Sequence, residues 1–186
     1  MLRKHLGYLL FISLLPLFAS LSLAEEKLTK TIYLVDQQGK ELKVGSIEFI
    51  KKTEGETFNV SWDESKFGKF FLNMAPFQCI EGKLMYCHLP YPYKTRKTIT
   101  KTDLIDLEYE LMFVQKVAAK YGIDFWHGVY FRLKRNSDGS FTGKVWETDM
   151  NELMAPPPNE YDRPVGGDDL SEAPKGKHRF PTIEIK

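Results

Sequence analysis

Short apolar runs of period two, cut by turn signals, constrain this chain most. Thr57-Phe-Asn-Val-Ser-Trp62 places Phe58, Val60 and Trp62 on one face, the spacing of a half-buried strand. Thr31-Ile-Tyr-Leu-Val35 is rich in β-branched and aromatic residues and reads as another strand. Leu42 to Ile50 alternates in part, and Lys69-Phe-Phe-Leu72 is a shorter apolar run. Phe125 to Arg135 and Ser140 to Thr148 flank Asn136-Ser-Asp-Gly139, and Asp-Gly is a strong hairpin signal. Turns at Asp36-Gln-Gln-Gly39 and around Gly55 separate the first strands. Such pieces bury their apolar faces only by pairing. They predict an antiparallel, meandering sheet of about six to eight strands.

One segment changes period. From Thr102 to Gly122, Leu104, Leu107, Leu111, Val114 and Ala118 fall on one stripe, the pattern of an amphipathic helix. Thr102 suits the N-cap, Asp103 and Asp106 suit the first turn, and Gly122 suits the end. The predicted fold class is therefore α+β: a meandering sheet with one main helix packed on one face. A small, partly closed barrel is the alternative. Asn151 to Met154 suits one helical turn. From Ala155 the chain is rich in Pro and Gly, so residues 155–178 read as an extended, mobile tail. Arg179 to Lys186 is apolar enough to add an edge strand. The domain division is 1–24, 25–154 and 155–186.

Residues 1–24 read as a signal peptide. Arg3 and Lys4 give a basic start, Leu6 to Leu23 is apolar, and Ser22 and Ala24 put small side chains before a cut. Pro16 and the shortness of the run argue against a membrane anchor. The expected location is periplasmic or secreted, with no stable membrane insertion after cleavage. Without Arg3 and Lys4 the 26 basic residues fall by two against 25 acids, a net charge of about −1. That balance gives no electrostatic reason to expect nucleic acid as a partner.

Export bears on Cys79 and Cys87, the two cysteines of the chain. In an oxidising compartment two cysteines usually pair. With a turn at Glu81 to Leu84, centred on Lys83, they fall directly opposite each other across a hairpin, within reach of a disulfide. A redox motif would more often be Cys-x-x-Cys, which is absent. A zinc site would need further ligands beyond His88. No metal and no cofactor are expected.

No sequence motif assigns catalysis: there is no Gly-x-Ser-x-Gly, no His-Glu-x-x-His and no phosphate-binding Gly-rich loop. Asp103, Asp106, Glu108 and Glu110 read as a capped helix start and a solvated face. His127 follows Asp124 at a helix-to-strand junction and could act as a base, or could simply bond to a loop. The remaining candidates for a contact surface are Tyr86, His88, Tyr91, Tyr93, Trp126 and His127. Leu89-Pro-Tyr-Pro-Tyr93 is stiffened by two prolines, so its rings either contact a partner or cover the sheet edge.

Phe67 to Leu72, Phe77-Gln-Cys79, Cys87 to Tyr93, Trp126 to Leu133 and Ala155 to Pro158 together resemble a family of exported proteobacterial proteins of unassigned function. The resemblance implies a periplasmic setting and a paired role for the cysteines. Three functions stay open: a non-enzymatic binding or accessory module that meets a protein or cell-wall glycan, an inhibitor of an envelope hydrolase, and a small enzyme using His127 and His88. Thiol titration of the denatured, unreduced protein is expected to find no free thiol; two would end the disulfide reading.

Overall fold

The computed structural model describes residues 25–71, 76–120, 122–153 and 155–186. The signal-peptide reading and its cut, Leu72 of the fourth predicted strand, Tyr121 of the predicted helix, and Met154 lie outside these. Twelve strands form one antiparallel sheet. In chain order they are β1 (Lys27–Val35), β2 (Glu41–Lys51), β3 (Glu56–Trp62), β4 (Gly68–Phe71), β5 (Pro76–Ile80), β6 (Leu84–His88) and β7 (Thr98–Ile99). A helix, α1 (Ile105–Glu110), comes next. Then follow β8 (Phe113–Val117), β9 (Gly128–Arg135), β10 (Phe141–Thr148), β11 (Ser171–Glu172) and β12 (Thr182–Ile185). The order across the sheet is β4-β5-β6-β8-β9-β10-β12-β1-β2-β3-β7, with β11 beside β10.

The α+β expectation is overturned. Among the described residues the protein is mostly β, and the one α-helix is six residues long. The sheet is open, with edges at β4 and β7, and not a closed barrel. It also has more strands than the six to eight expected. The predicted 102–122 helix stops at Glu110, and Phe113–Val117 is a strand pairing with β6 along its whole length. The reason lies in Leu111-Met-Phe-Val114. All four are buried, Leu111 and Phe113 in one core and Met112 and Val114 in another. A strand covered on both faces is apolar continuously, and here such a run overlaid a helical period. Thr102 does not cap the helix; the N-cap position is Leu104, without a side-chain bond.

The sheet curls so that its two ends face each other. Trp62 on β3 packs 4.5 Å from His88 on β6 and 5.7 Å from Phe113 on β8 (ring centroids), although these strands are far apart in the order. The inner core formed by this curl holds Ile32, Ile47, Phe58, Tyr86, Phe131 and Ile183, among others. A register shift near Ile32 leaves Val44 as an extra residue opposite β1. This bulge puts Val44 and Ile47 on the same inner side. The turns follow the sequence: Gly139 (φ +79) closes the β9–β10 hairpin, and Gly55 (φ +81) bends where a Cβ would meet the Ile99 carbonyl at 2.3 Å.

A second core lies on the outer face of β6, β8 and β9, built from Met85, Cys87, Val114 and Tyr130. The C-terminal segment covers it, docked by named contacts. Tyr109 Oη donates to the Val165 carbonyl (2.6 Å) and accepts from the Val165 N–H (3.0 Å). Arg163 binds Asp103 (2.7 Å) and Asp106. Val165 is fully buried. The predicted edge strand at the C-terminus is interior: β12 lies between β10 and β1.

Two of the four acids expected at a capped helix start and on a solvated face are internal, while Asp103 and Glu110 stay partly exposed. Asp106 is 1% and Glu108 5% exposed. β9 pairs with β8 only at Val129, so its later N–H groups need other partners. Glu108 supplies one, accepting from the Leu133 N–H (2.6 Å) and from the Tyr130 hydroxyl. Burial pushes its carboxyl above the usual range, against those two hydrogen bonds. Replacing Glu108 by Ala strands both donors and is expected to cost about 2–4 kcal/mol in urea unfolding, with Glu108→Gln losing less. A cost near zero would show that β9 needs no partner there.

Candidate functional site

Cys79 and Cys87 are directly opposite in register and form a disulfide. Both are fully buried and face the outer core. The bridge closes a short hairpin against local opening and fixes where Leu89-Pro-Tyr-Pro-Tyr93 leaves the sheet. The tyrosines expected as contacts are turned inward. Tyr86 is fully buried. Tyr91 is 7% exposed, packs on Tyr109 at 4.6 Å, and donates to the Asp162 carbonyl at 3.1 Å. Tyr93 is half-buried against Tyr91. The Tyr91 and Tyr93 rings cover the outer core, and Tyr91 holds the C-terminal segment. His88 faces the inner core, in contact with Trp62 and Phe113, and its Nε2 donates to the Glu110 carbonyl at 2.9 Å. Burial pushes its pKa down to about 4. A hollow of about 570 Å³ beside it is lined by Lys69, Phe77, Gln78, Leu89 and Pro90.

A buried polar chain emerges that the sequence did not reveal. His178, 2% exposed, bridges Tyr86 and Glu147. Burial pushes His178 below its usual range, against the hydrogen bond to Glu147. The neutral ring then accepts from Tyr86 Oη at Nδ1 (3.2 Å) and donates from Nε2 to Glu147 (2.6 Å). Lys177 reaches the same carboxylate at 2.8 Å. Burial opposes ionisation of Glu147, but bonds from Lys177 and His178 hold its pKa below the ordinary value. The connectivity is that of an acid–base triad with a tyrosine at its end. Tyr86 has no exposed surface, and burial pushes its hydroxyl well up. The set therefore offers substrate no nucleophile; it joins β6 and β10 to the C-terminal segment. No local pattern marks His178, because its partners lie 31 and 92 residues away along the chain.

Trp126 and His127 occupy the connection between β8 and β9. Ile123 and Phe125 pack against the outer core, and the Phe125 carbonyl accepts from the Met150 N–H at 2.7 Å. Trp126 points away and is 69% exposed. Asp124 organises both neighbours: Oδ1 accepts from the Trp126 N–H (3.0 Å) and Oδ2 bonds His127 Nδ1 (2.8 Å). Burial opposes ionisation, yet these bonds hold the Asp124 carboxyl below its usual range. The pairing expected between Asp124 and His127 is present, on the surface. A shallow groove of about 470 Å³ adjoins it, lined by Gln115, Val117, Ile123, Asp124 and Lys177.

The structure thus divides the six candidates. Trp126 and His127 share one exposed tip, Tyr91 and Tyr93 share a cover, and Tyr86 and His88 face the inner core. Among the described residues no group of three His, Cys, Asp or Glu is placed to hold a metal ion, and no helix is long and apolar enough to cross a membrane. No family model, no curated protein and no solved structure matches the chain.

His88 and His178 are held neutral when folded and titrate near pH 6.5 when unfolded. Their folded pKa values are lowered, so their contribution is complete above about pH 6.5 and is lost as pH falls toward the folded values. For His88 the loss approaches about 3 kcal/mol by pH 4. Unfolding free energies between pH 7 and 4.5 are expected to fall, and His88→Gln to flatten the slope. An unchanged slope would mean that His88 is not held neutral.

Proposed function

We propose that this is an exported, non-catalytic binding module whose contact surface is the Asp124–Trp126–His127 tip. The observation that carries the reading is the 69% exposure of Trp126 on a connection whose flanking apolar residues, Ile123 and Phe125, are partly buried against the outer core. An exposed tryptophan held on a fixed backbone supplies contact area at low entropic cost. Val117, another exposed apolar residue, lines the groove beside the tip. The signal-like start and the buried disulfide support an oxidising, extracytoplasmic location. The stapled hairpin and its tyrosines then serve as the rigid frame, and the partner is a protein or a cell-wall glycan.

Trp126→Ala is expected to leave the melting temperature within about 1 °C, because an exposed ring contributes little to stability. The same change is expected to abolish a partner crosslink formed from a photoreactive side chain at position 127. Co-sedimentation with purified cell-wall sacculi separates the partner classes: pelleting that Trp126→Ala removes points to glycan, and a crosslinked protein band points to protein. A large fall in melting temperature, or neither a crosslink nor pelleting, would sink the reading.

A further inference from the structure

A second surface carries an independent signal. On the outer face of β9 and β10, Arg132 stands directly opposite Lys144 in register, and both are exposed. Like charges in this position are destabilising. Lys134 follows two residues along the same face, opposite Thr142. Among the described residues none of these three cations has an acidic side chain within ion-pair distance. The acids on neighbouring strands are offset: Glu184 stands opposite Thr142 and is paired with Lys186, and Glu172 stands opposite Trp146.

The arrangement is built for presentation. The Arg132 guanidinium lies over the Trp146 ring at 5.3 Å, which fixes its plane and leaves its N–H fork free. A groove of about 510 Å³ runs beside it, lined by Lys101, Glu108, Tyr130, Arg132, Lys134 and Gly166 among others. Glu108 at its base is already engaged with Tyr130 and Leu133. Asp168 and Asp169 do not line it.

We propose that this face of β9 and β10, with its groove, is a binding site for a phosphate-class oxyanion. Lys101, Arg132 and Lys134 line the groove, together with Arg135, which is paired with Glu56, and Lys144 stands beside Arg132 on the same face. A multiply charged oxyanion satisfies several of them at once, and Arg132 offers bidentate geometry. Bound anion also removes the repulsion between Arg132 and Lys144. The oxyanion is either free or carried on a polymer. The site is separate from the Trp126 tip and stands or falls independently of it.

The test is an amide-shift titration of the disulfide-bonded protein with inorganic phosphate and, separately, with long-chain polyphosphate. Saturable shifts at Lys101, Arg132, Lys134 and Lys144 are expected. Saturation by phosphate alone identifies a free oxyanion, and saturation by polyphosphate alone identifies a polymer-borne one. The combined change Arg132→Gln, Lys134→Gln and Lys144→Gln is expected to weaken binding about tenfold or more. The charge-matched change Lys40→Gln, Lys66→Gln and Lys175→Gln is expected to leave it unchanged. Without anion, Lys144→Gln is expected to raise the melting temperature by about 1–3 °C. Shifts with neither probe, equal losses in both triple variants, or a fall in melting temperature for Lys144→Gln would each overturn the proposal.

Discussion

Everything in this fold depends on the insertion of its last strand. β12 pairs with β10 on one side and β1 on the other, and among the described residues no other strand joins the two halves of the sheet. Its Ile183 and Ile185 fill the middle of the inner core with no exposed surface. Backbone bonds between Thr31 and Lys186 extend the ladder to the end of the chain. The first strand and the last must therefore meet before the sheet is continuous. Such non-local pairing carries a large closure entropy before it gains contacts.

The same C-terminal segment solves a second problem. Strands β6 and β8 and the first half of β9 bury side chains on both faces, so a single curled sheet cannot hide them. Residues 155–170 cover the outer side with no regular structure but a 3-10 turn at Gly167–Asp169, held by Tyr109 on Val165 and by Arg163 on Asp103 and Asp106. Buried polar groups are tolerated only when they are partnered. Here the pairing is nearly complete: Asp106 with Arg163, Glu108 with Tyr130 and Leu133, and Glu147 with His178 and Lys177. Gln115 Oε1, Thr95 Oγ1, Thr148 Oγ1 and Arg135 Nε are exceptions.

This dense packing shapes the two surfaces proposed for binding. The disulfide and the proline-flanked tyrosines, which look like a contact platform when read in line, are internal supports. What they support is a frame that projects Trp126 outward and holds Arg132, Lys134 and Lys144 side by side.

Local pattern determined much of this protein. The alternation in β3, the Asp138-Gly139 hairpin, the bend at Gly55 and the opposed cysteines follow from side-chain period and backbone freedom, which neighbouring residues set by themselves. Trp126 and His127 were legible as candidates for a similar reason: Asp124 lies within hydrogen-bonding reach along the chain. Tertiary structure decided the rest. Leu111 to Val114 suits a helix or a two-sided strand, and only pairing with β6 selects the strand. The acids near α1 suit a solvated face until Arg163, some 57 residues on, draws Asp106 inside. His178 meets Glu147 and Tyr86, and Arg132 meets Lys144, only once distant strands are in register. Sequence specifies such meetings through the energy of the whole core, which no local window contains.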